Sequence, residues 1–222
     1  MCKYTKETFF LSDIKILKHL YLMNLYYETY NRFENFRYVD ETRPLLQGGR
    51  LTTYELQKAG VPYTLITDSM ASILMKEGKV DLAMVGCDRV ALNGDFANKV
   101  GTYSLAVNCK YHNVPFYVLG PYTTIDYESE CGMNIPIEQR SHDEVQGAKL
   151  PSGAVNWSPS GCNVFNPAFD VTPIDLVAAH ITDAGVFTQQ DCKNGKLREL
   201  GLASSKVIGG VRENKVFTRL KR

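Results

Sequence analysis

The sequence predicts an α/β fold built on a parallel sheet, and three observations carry that expectation. Apolar runs over residues 61–66, 80–85 and 115–119 have the length of buried strands. Stretches of helical character separate them. Glycine or proline stands at most of the joints. Strand, helix, strand, helix, strand with short links is the pattern of a parallel α/β sheet rather than of hairpins. Ligands of such sheets bind outside the carboxyl ends of the strands, so chemistry is expected there.

Residues 1–37 differ in character from the rest of the chain. They are rich in tyrosine and phenylalanine and contain no glycine or proline. Leu11, Ile14, Leu17, Leu20 and Met23 fall near helical spacing, so a divergent helical segment is expected here and the main domain over 38–222. Gln47-Gly48-Gly49-Arg50 reads as a small-residue loop before a helix over 51–59. The run 61–66 is a strand, and a helix over 69–77 ends at Gly78. The strand 80–85 ends in Gly86, and a loop with Asn93 and Gly94 leads to a helix over 97–111. Pro115-Phe116-Tyr117-Val118-Leu119 is a third strand. Residues 128–162 read as loop, punctuated by Gly132, Pro136, Gly147, Pro151, Gly153, Pro159 and Gly161. A helix is expected over 174–183, with Asp170, Thr172 and Pro173 as start signals. From Thr188 onward the pattern is polar and ambiguous.

Composition narrows the function. The 222 residues suffice for one sizeable core. With 25 Lys+Arg against 24 Asp+Glu the formal net charge is +1, which argues against nucleic acid or an anionic membrane as the main partner. Every apolar run breaks before ~18 residues, so no transmembrane helix is expected. Lys3 and Lys6 are followed by no apolar core of roughly 7–15 residues, so no signal peptide is expected either. The 6 cysteines and 4 histidines are dispersed, without CxxC or zinc-finger spacing, so no metal site is expected. Reduced thiols in the cytoplasm are the corresponding expectation.

Three places are suited to chemistry. Asp88 comes just after the strand 80–85, where a carboxylate partly desolvated by the sheet is placed to donate a proton. Arg89 beside it is the alternative, a partner that holds it ionised, and a loop cap is a further reading. Asn98 and Lys99 fall at the expected start of the helix 97–111. A lysine facing the positive end of a helix dipole suggests an anion opposite, such as phosphate; the other reading is a solvated lysine that bends away. Glycines beside Gln47 permit close approach of a ligand, or simply make a turn. No GxGxxG and no GxxxxGK[ST] occurs, so dinucleotide and P-loop readings lack their fingerprints.

Several segments in order then carry a resemblance: Asp40-Glu41-Thr42-Arg43-Pro44, Gln47-Gly48, Leu65-Ile66-Thr67-Asp68, Val85-Gly86-Cys87-Asp88-Arg89-Val90, Asn93-Gly94-Asp95 and Ala97-Asn98-Lys99-Val100-Gly101-Thr102-Tyr103. Thr124-Ile125-Asp126, Ile135-Pro136-Ile137-Glu138-Gln139-Arg140 and Asn166-Pro167-Ala168-Phe169-Asp170-Val171-Thr172-Pro173 continue it. From Tyr38 to Phe187 the chain resembles the methylthioribose-1-phosphate isomerase family. That family shares its fold with the alpha, beta and delta regulatory subunits of the eukaryotic initiation-factor guanine-exchange complex. Those subunits keep the Asn-Lys-x-Gly-Thr stretch and differ around the Asp-Arg.

The resemblance implies a Rossmann-like parallel sheet with helices on both faces, corresponding to the family's C-terminal domain. It implies an aldose–ketose isomerisation of a sugar phosphate in methionine salvage, with no cofactor. Asp88 maps onto the family's proton donor. Gln47 and Asn98-Lys99 map onto its substrate contacts. A homodimer is implied, in the cytoplasm or also the nucleus. The family's second catalytic group is a cysteine in a Cys-Asn-x-Gly motif upstream of Asp-Glu-Thr-Arg-Pro, and residues 1–37 hold no match to it. Cys87 adjoins Asp88, yet neighbours at a strand end point apart. The alternative implied is a non-catalytic regulatory or scaffold subunit related to the initiation-factor complex.

Overall fold

A computed structural model describes residues 8–12, 36–150 and 153–205. Thr8–Ser12 forms β1 and Phe36–Asp40 forms β2; a wide helical turn over Gly48–Thr52 leads into α1 (Thr53–Lys58). β3 (Tyr63–Ile66), α2 (Ala71–Lys76) and β4 (Leu82–Val85) come next, then two short strands, β5 (Arg89–Val90) and β6 (Phe96–Lys99). After them come α3 (Thr102–His112), β7 (Phe116–Leu119), α4 (Asp143–Gln146) and a hairpin of β8 (Gly147–Leu150) and β9 (Gly153–Asn156). β10 (Phe169–Thr172), β11 (Ala179–Thr182), β12 (Gly185–Thr188), α5 (Gln189–Lys193) and α6 (Lys196–Ser205) complete the described chain.

The main sheet has the order β12-β11-β7-β4-β1-β2-β3. Every neighbouring pair is parallel except β11 with β12. From β1 the chain runs outward through β2 to β3, then returns to β4 on the other side of β1. The direction of winding therefore reverses between β1 and β4, and a crevice opens beyond their carboxyl ends. A small antiparallel sheet, β10-β6-β5, sits after β4.

Alternation along the strands puts helices on both faces. Val39 packs with Leu56 of α1, and Met84 joins them. Tyr38, Ala83 and Val85 belong instead to the large core with Met75 of α2 and with Leu105 and Cys109 of α3. Phe96, Phe116, Val85 and Val118 are fully buried at its centre. The His180 ring meets Phe96 edge-on at 5.7 Å, and its Nε2 lies 2.8 Å from the Gly94 carbonyl. Burial pushes that imidazole down to about 4, which keeps it a neutral core residue. Among the described residues no helix is long and apolar enough to cross a membrane.

Four sequence expectations need correction. Leu11 lies in strand β1, between β2 and β4, and not in a helix. Phe9-Phe10-Leu11 is the unbroken apolar run of a central parallel strand, which helical spacing imitates over so few residues. Ile14, Leu17, Leu20 and Met23 lie outside the described residues. The helix expected over 97–111 starts only at Thr102, because Gly101 at φ 106 breaks the chain after β6. The helix expected over 174–183 is a single 3-10 turn followed by β11, whose pairing with β7 overrides local propensity. The loop over 128–162 contains α4 and the β8–β9 hairpin.

Gly48 shows how tightly the turn after β2 is packed. A Cβ built there would stand 1.8 Å from the Asp40 carbonyl oxygen. Replacing Gly48 by Ala is expected to cost about 1–3 kcal/mol, as overpacking does. A thermal melt reads this directly, and an unchanged Tm would refute the close approach.

Candidate active site

β4 ends at Val85, and Gly86-Cys87 carries the chain to Asp88, beyond the reversal of winding. The Asp88 backbone N–H donates to the Ala97 carbonyl at 2.9 Å, which docks Asp88 on β6 beside Asn98. Asn98 and Lys99 thus belong to a strand and not, as expected, to the start of a helix. Both are buried. Asn98 Nδ2 donates to Thr102 Oγ1 at 3.0 Å, and that hydroxyl donates to the Lys99 carbonyl. Lys99 Nζ donates to the Ala168 carbonyl at 2.9 Å and stands 5.0 Å from the centroid of the Phe169 ring. Arg89 does not hold Asp88; it pairs with Asp126 at 2.9 Å.

The helix N-terminus expected to take an anion already has one. Asp170, which pairs across β10 with Asn98, accepts from Gly101 N at 2.7 Å and from Tyr103 N at 3.1 Å. Burial nevertheless pushes the Asp170 carboxyl up to about 6, against those two hydrogen bonds. The dipole argument for a phosphate at this helix is therefore displaced by a carboxylate of the chain itself.

Gln47 sits on the other side of the crevice. Asp68, just beyond β3, clamps the turn after β2 with both oxygens, accepting from Thr42 N at 2.8 Å and Arg43 N at 2.7 Å. Thr42 has φ 64, a left-handed backbone that costs a β-branched residue ~1–3 kcal/mol. The clamp offsets that strain. Gln47 heads the wide turn into α1, and its Oε1 is buried with no hydrogen-bond partner among the described residues. Such an oxygen costs ~1–3 kcal/mol until something donates to it. The backbone of Asp88 is docked on the strand that carries Asn98 and Lys99, and Gln47 lies in the turn that follows β2, with β1 between β2 and β4.

The segment expected as loop is tied to the same turn. Arg43 Nη2 donates to the Val145 carbonyl at 3.1 Å, and the guanidinium lies 4.9 Å from the Trp157 ring centroid. Trp157 Nε1 donates to that carbonyl at 2.8 Å. Arg140 forks onto Glu144, which also accepts from Asn166. These bonds hold the Glu144 carboxyl below its usual range, Arg140 contributing most and Lys99 adding its charge.

Cys87 faces Thr124, with Sγ 3.4 Å from Oγ1, and burial pushes its thiol up to about 11. It is a protonated packing residue and no proton acceptor at neutral pH. Sequence reasoning missed Asp40, Asp68 and Asp170 as parts of this edge. Asp68 had a signal, since it comes after its strand as Asp88 comes after β4. Asp170 was read as a start signal for a helix that does not form. Asp40, the last residue of β2, is only 4% exposed. Its carboxyl is pushed up to about 9, first by burial and then by Asp68 and Glu41.

Comparison with known proteins places this edge in context. Residues 22–189 match the model of the initiation factor 2 subunit family. Over 159 residues the chain is 59% identical to a methylthioribose-1-phosphate isomerase of Cronobacter sakazakii, covering 72% of this chain and 47% of the relative. It spans about half the length of the curated relatives it matches. A crystal structure of 5-methylthioribose 1-phosphate isomerase from Pyrococcus horikoshii is similar at TM-score 0.77 and 36% identity, over 89% of this chain and 56% of that one. The delta subunit of translation initiation factor eIF-2B from A. fulgidus is similar at TM-score 0.73 and 36% identity, over 83% of this chain and 54% of that one.

Asp40 makes stability depend on pH in a definite direction. The fold holds its proton to about pH 9, whereas the unfolded chain releases it near 3.8. Between those values the native state binds more protons, so stability falls as pH rises. Asp40→Asn removes that penalty. Its gain in stability over the parent is expected to grow from about pH 5 to about pH 8, by on the order of 1 kcal/mol per pH unit. Denaturant melts across that range measure it, and a gain that stays constant would contradict the burial of the carboxyl.

Proposed function

The chain belongs to the initiation factor 2 subunit family, and on that premise we propose that it isomerises methylthioribose 1-phosphate from aldose to ketose. The observation that carries the reading is Asp88, beyond β4 where the winding reverses, docked on the strand of a buried asparagine and lysine. The substrate is a furanose whose anomeric carbon carries the phosphate, so its ring cannot open by simple hemiacetal chemistry. A general acid has to protonate the ring oxygen, and Asp88 takes that part. Hydrogen then moves between two carbons of one molecule, and no external redox partner is needed.

Lys99 takes the phosphate. Its ammonium is buried, and in a low local dielectric it attracts an anion more strongly than an exposed lysine does. Asn98 holds the substrate beside it, and the free amide oxygen of Gln47 accepts from a sugar hydroxyl. Proton transfer between the sugar carbons needs a second group close to them; Cys87, turned to Thr124 and protonated, does not serve.

A second reading is a non-catalytic regulatory or scaffold subunit of the initiation-factor type. The equal identity of the two structural relatives favours keeping it.

The partner proposed is a second copy of this chain. On α3, Tyr103, Val107 and Tyr111 recur every fourth residue and are all exposed, Tyr111 by 81%. Met70 and Ile73, on and just before α2, extend the apolar stripe, and α2 packs against α3. A helix that is apolar on both its inner and outer sides fits an isologous interface. The compartment proposed is the cytoplasm.

A phosphorus NMR time course with methylthioribose 1-phosphate tests the activity. The ketose is expected to accumulate, and Asp88→Asn to slow it by about 10²–10⁴-fold, as loss of a general acid does. No ketose at high protein concentration would hand the case to the regulatory reading. For the dimer, sedimentation velocity should give twice the chain mass, and Val107→Glu should give monomers. A parent chain that sediments as a monomer refutes the interface.

A further inference from the structure

The turn after β2 and the head of α3 enclose a second feature that the isomerase reading does not use. Val39 faces α1, so Asp40 after it points to the opposite face of the sheet, under α2 and α3. There it lines a cavity of about 230 Å³ together with Thr42, Asp68, Ser69, Ser104 and Asn108. Asp40 Oδ1 has no hydrogen-bond partner among the described residues, and the side chain is all but closed off from solvent. Val100 and Gly101, directly after Asn98 and Lys99, form another part of the wall. The cavity thus lies between the two segments assigned to the substrate, the one leading to Gln47 and the one leaving Lys99.

The lining sets the chemistry of an occupant. No lysine, arginine or histidine is among the described residues around the cavity, and the Asp68 carboxylate is, so a phosphate finds no cation there and meets a like charge. A metal cation finds few ligands, because both Asp68 oxygens are already taken by Thr42 N and Arg43 N. Hydroxyls and an amide remain, around one carboxyl oxygen that has nothing to bond. The volume is below the ~300–1,000 Å³ of pockets that enclose a whole drug-sized ligand, so part of a molecule fits.

We propose that this cavity is a subsite for an uncharged, hydroxyl-bearing group, a sugar ring and not its phosphate, with Asp40 as the buried hydrogen-bonding partner. The inference rests on the sugar-phosphate reading above for the identity of the ligand and extends it to a second contact. A carboxyl that keeps its proton to about pH 9 both donates and accepts, which suits a hydroxyl. Asp40 then distinguishes a polyhydroxylated ligand from a bare anion.

The test uses the full chain, isotopically labelled, and two probes followed by amide NMR: D-ribose and inorganic phosphate. Ribose is expected to shift the amides of Ser69, Ser104 and Asn108, and phosphate to leave them in place. Asp40→Asn keeps a neutral hydrogen-bonding group and should keep the ribose response, whereas Asp40→Leu should weaken ribose at least tenfold. Asn108→Ala alters the more accessible wall and should weaken ribose severalfold, which covers the case in which Asp40→Leu does not fold. Unmoved amides in ribose, a ribose affinity in folded Asp40→Leu or Asn108→Ala equal to that of the parent, or a phosphate response at these three residues would each overturn the subsite. Failure of the isomerase reading looks different. Methylthioribose 1-phosphate would then fail to shift the amides of Asn98 and Lys99, while ribose continued to report on the cavity.

Discussion

Backbone N–H groups that leave a sheet at the carboxyl ends of its strands have no ladder partner, and in this protein aspartates supply one. Asp68 takes the amides of Thr42 and Arg43, and Asp170 takes those of Gly101 and Tyr103. Asp95 accepts from Gly132 and Ile174, and Asp183 from Tyr122. Each joins segments distant in sequence, so the loops that form the crevice are fixed by a few charged hydrogen bonds rather than by a continuous apolar core. Charge-assisted bonds of this kind are stronger than neutral ones, and unmaking one leaves a charge without its donors.

Crowding carboxyls on one edge has an electrostatic cost, and its distribution is informative. Asp68 and Asp95 have their donors. Asp40 has the burial without them and stays protonated. Cations are brought to the same edge from several directions: Lys99 from β6, Arg43 from the turn after β2, and Arg140 from the segment that carries the hairpin. The edge therefore carries a neutral acid at Asp40 together with the buried amide of Asn98 and the buried ammonium of Lys99, the mixture that the proposed ligand, with its hydroxyls and phosphate, calls for.

The strands 61–66, 80–85 and 115–119 were legible because buried parallel strands are continuous apolar runs between glycine and proline. Asp88 was legible for the same reason: the end of a strand can be found even when the sheet order is unknown. Phe96-Ala97-Asn98-Lys99 was misread because four buried residues flowing into a helix leave no break except Gly101, and a glycine inside a helical pattern is a weak stop. β11 was misread because His180-Ile181-Thr182 is a strand only by virtue of β7 beside it. The clamps by Asp68 and Asp170 join residues far apart along the chain, and no local pattern records such a bond. The hairpin's tie through Arg43 and Trp157 was hidden likewise, among glycines and prolines that signal loop.

β1 is the first described element of the chain, yet it occupies the middle of the main sheet. Its neighbours follow it along the chain, so as the polypeptide emerges from the ribosome β1 has to wait for β4 before both flanks are covered. Until then at least one of its edges stays open, the condition in which strands recruit the wrong partner. The reverse also holds. A chain from which β1 had been cleaved would not fray from one end; it would split along its centre into β3-β2 and β4-β7-β11-β12, each with a new raw edge. Protease resistance at β1 is therefore a measure of whether the whole sheet is shut.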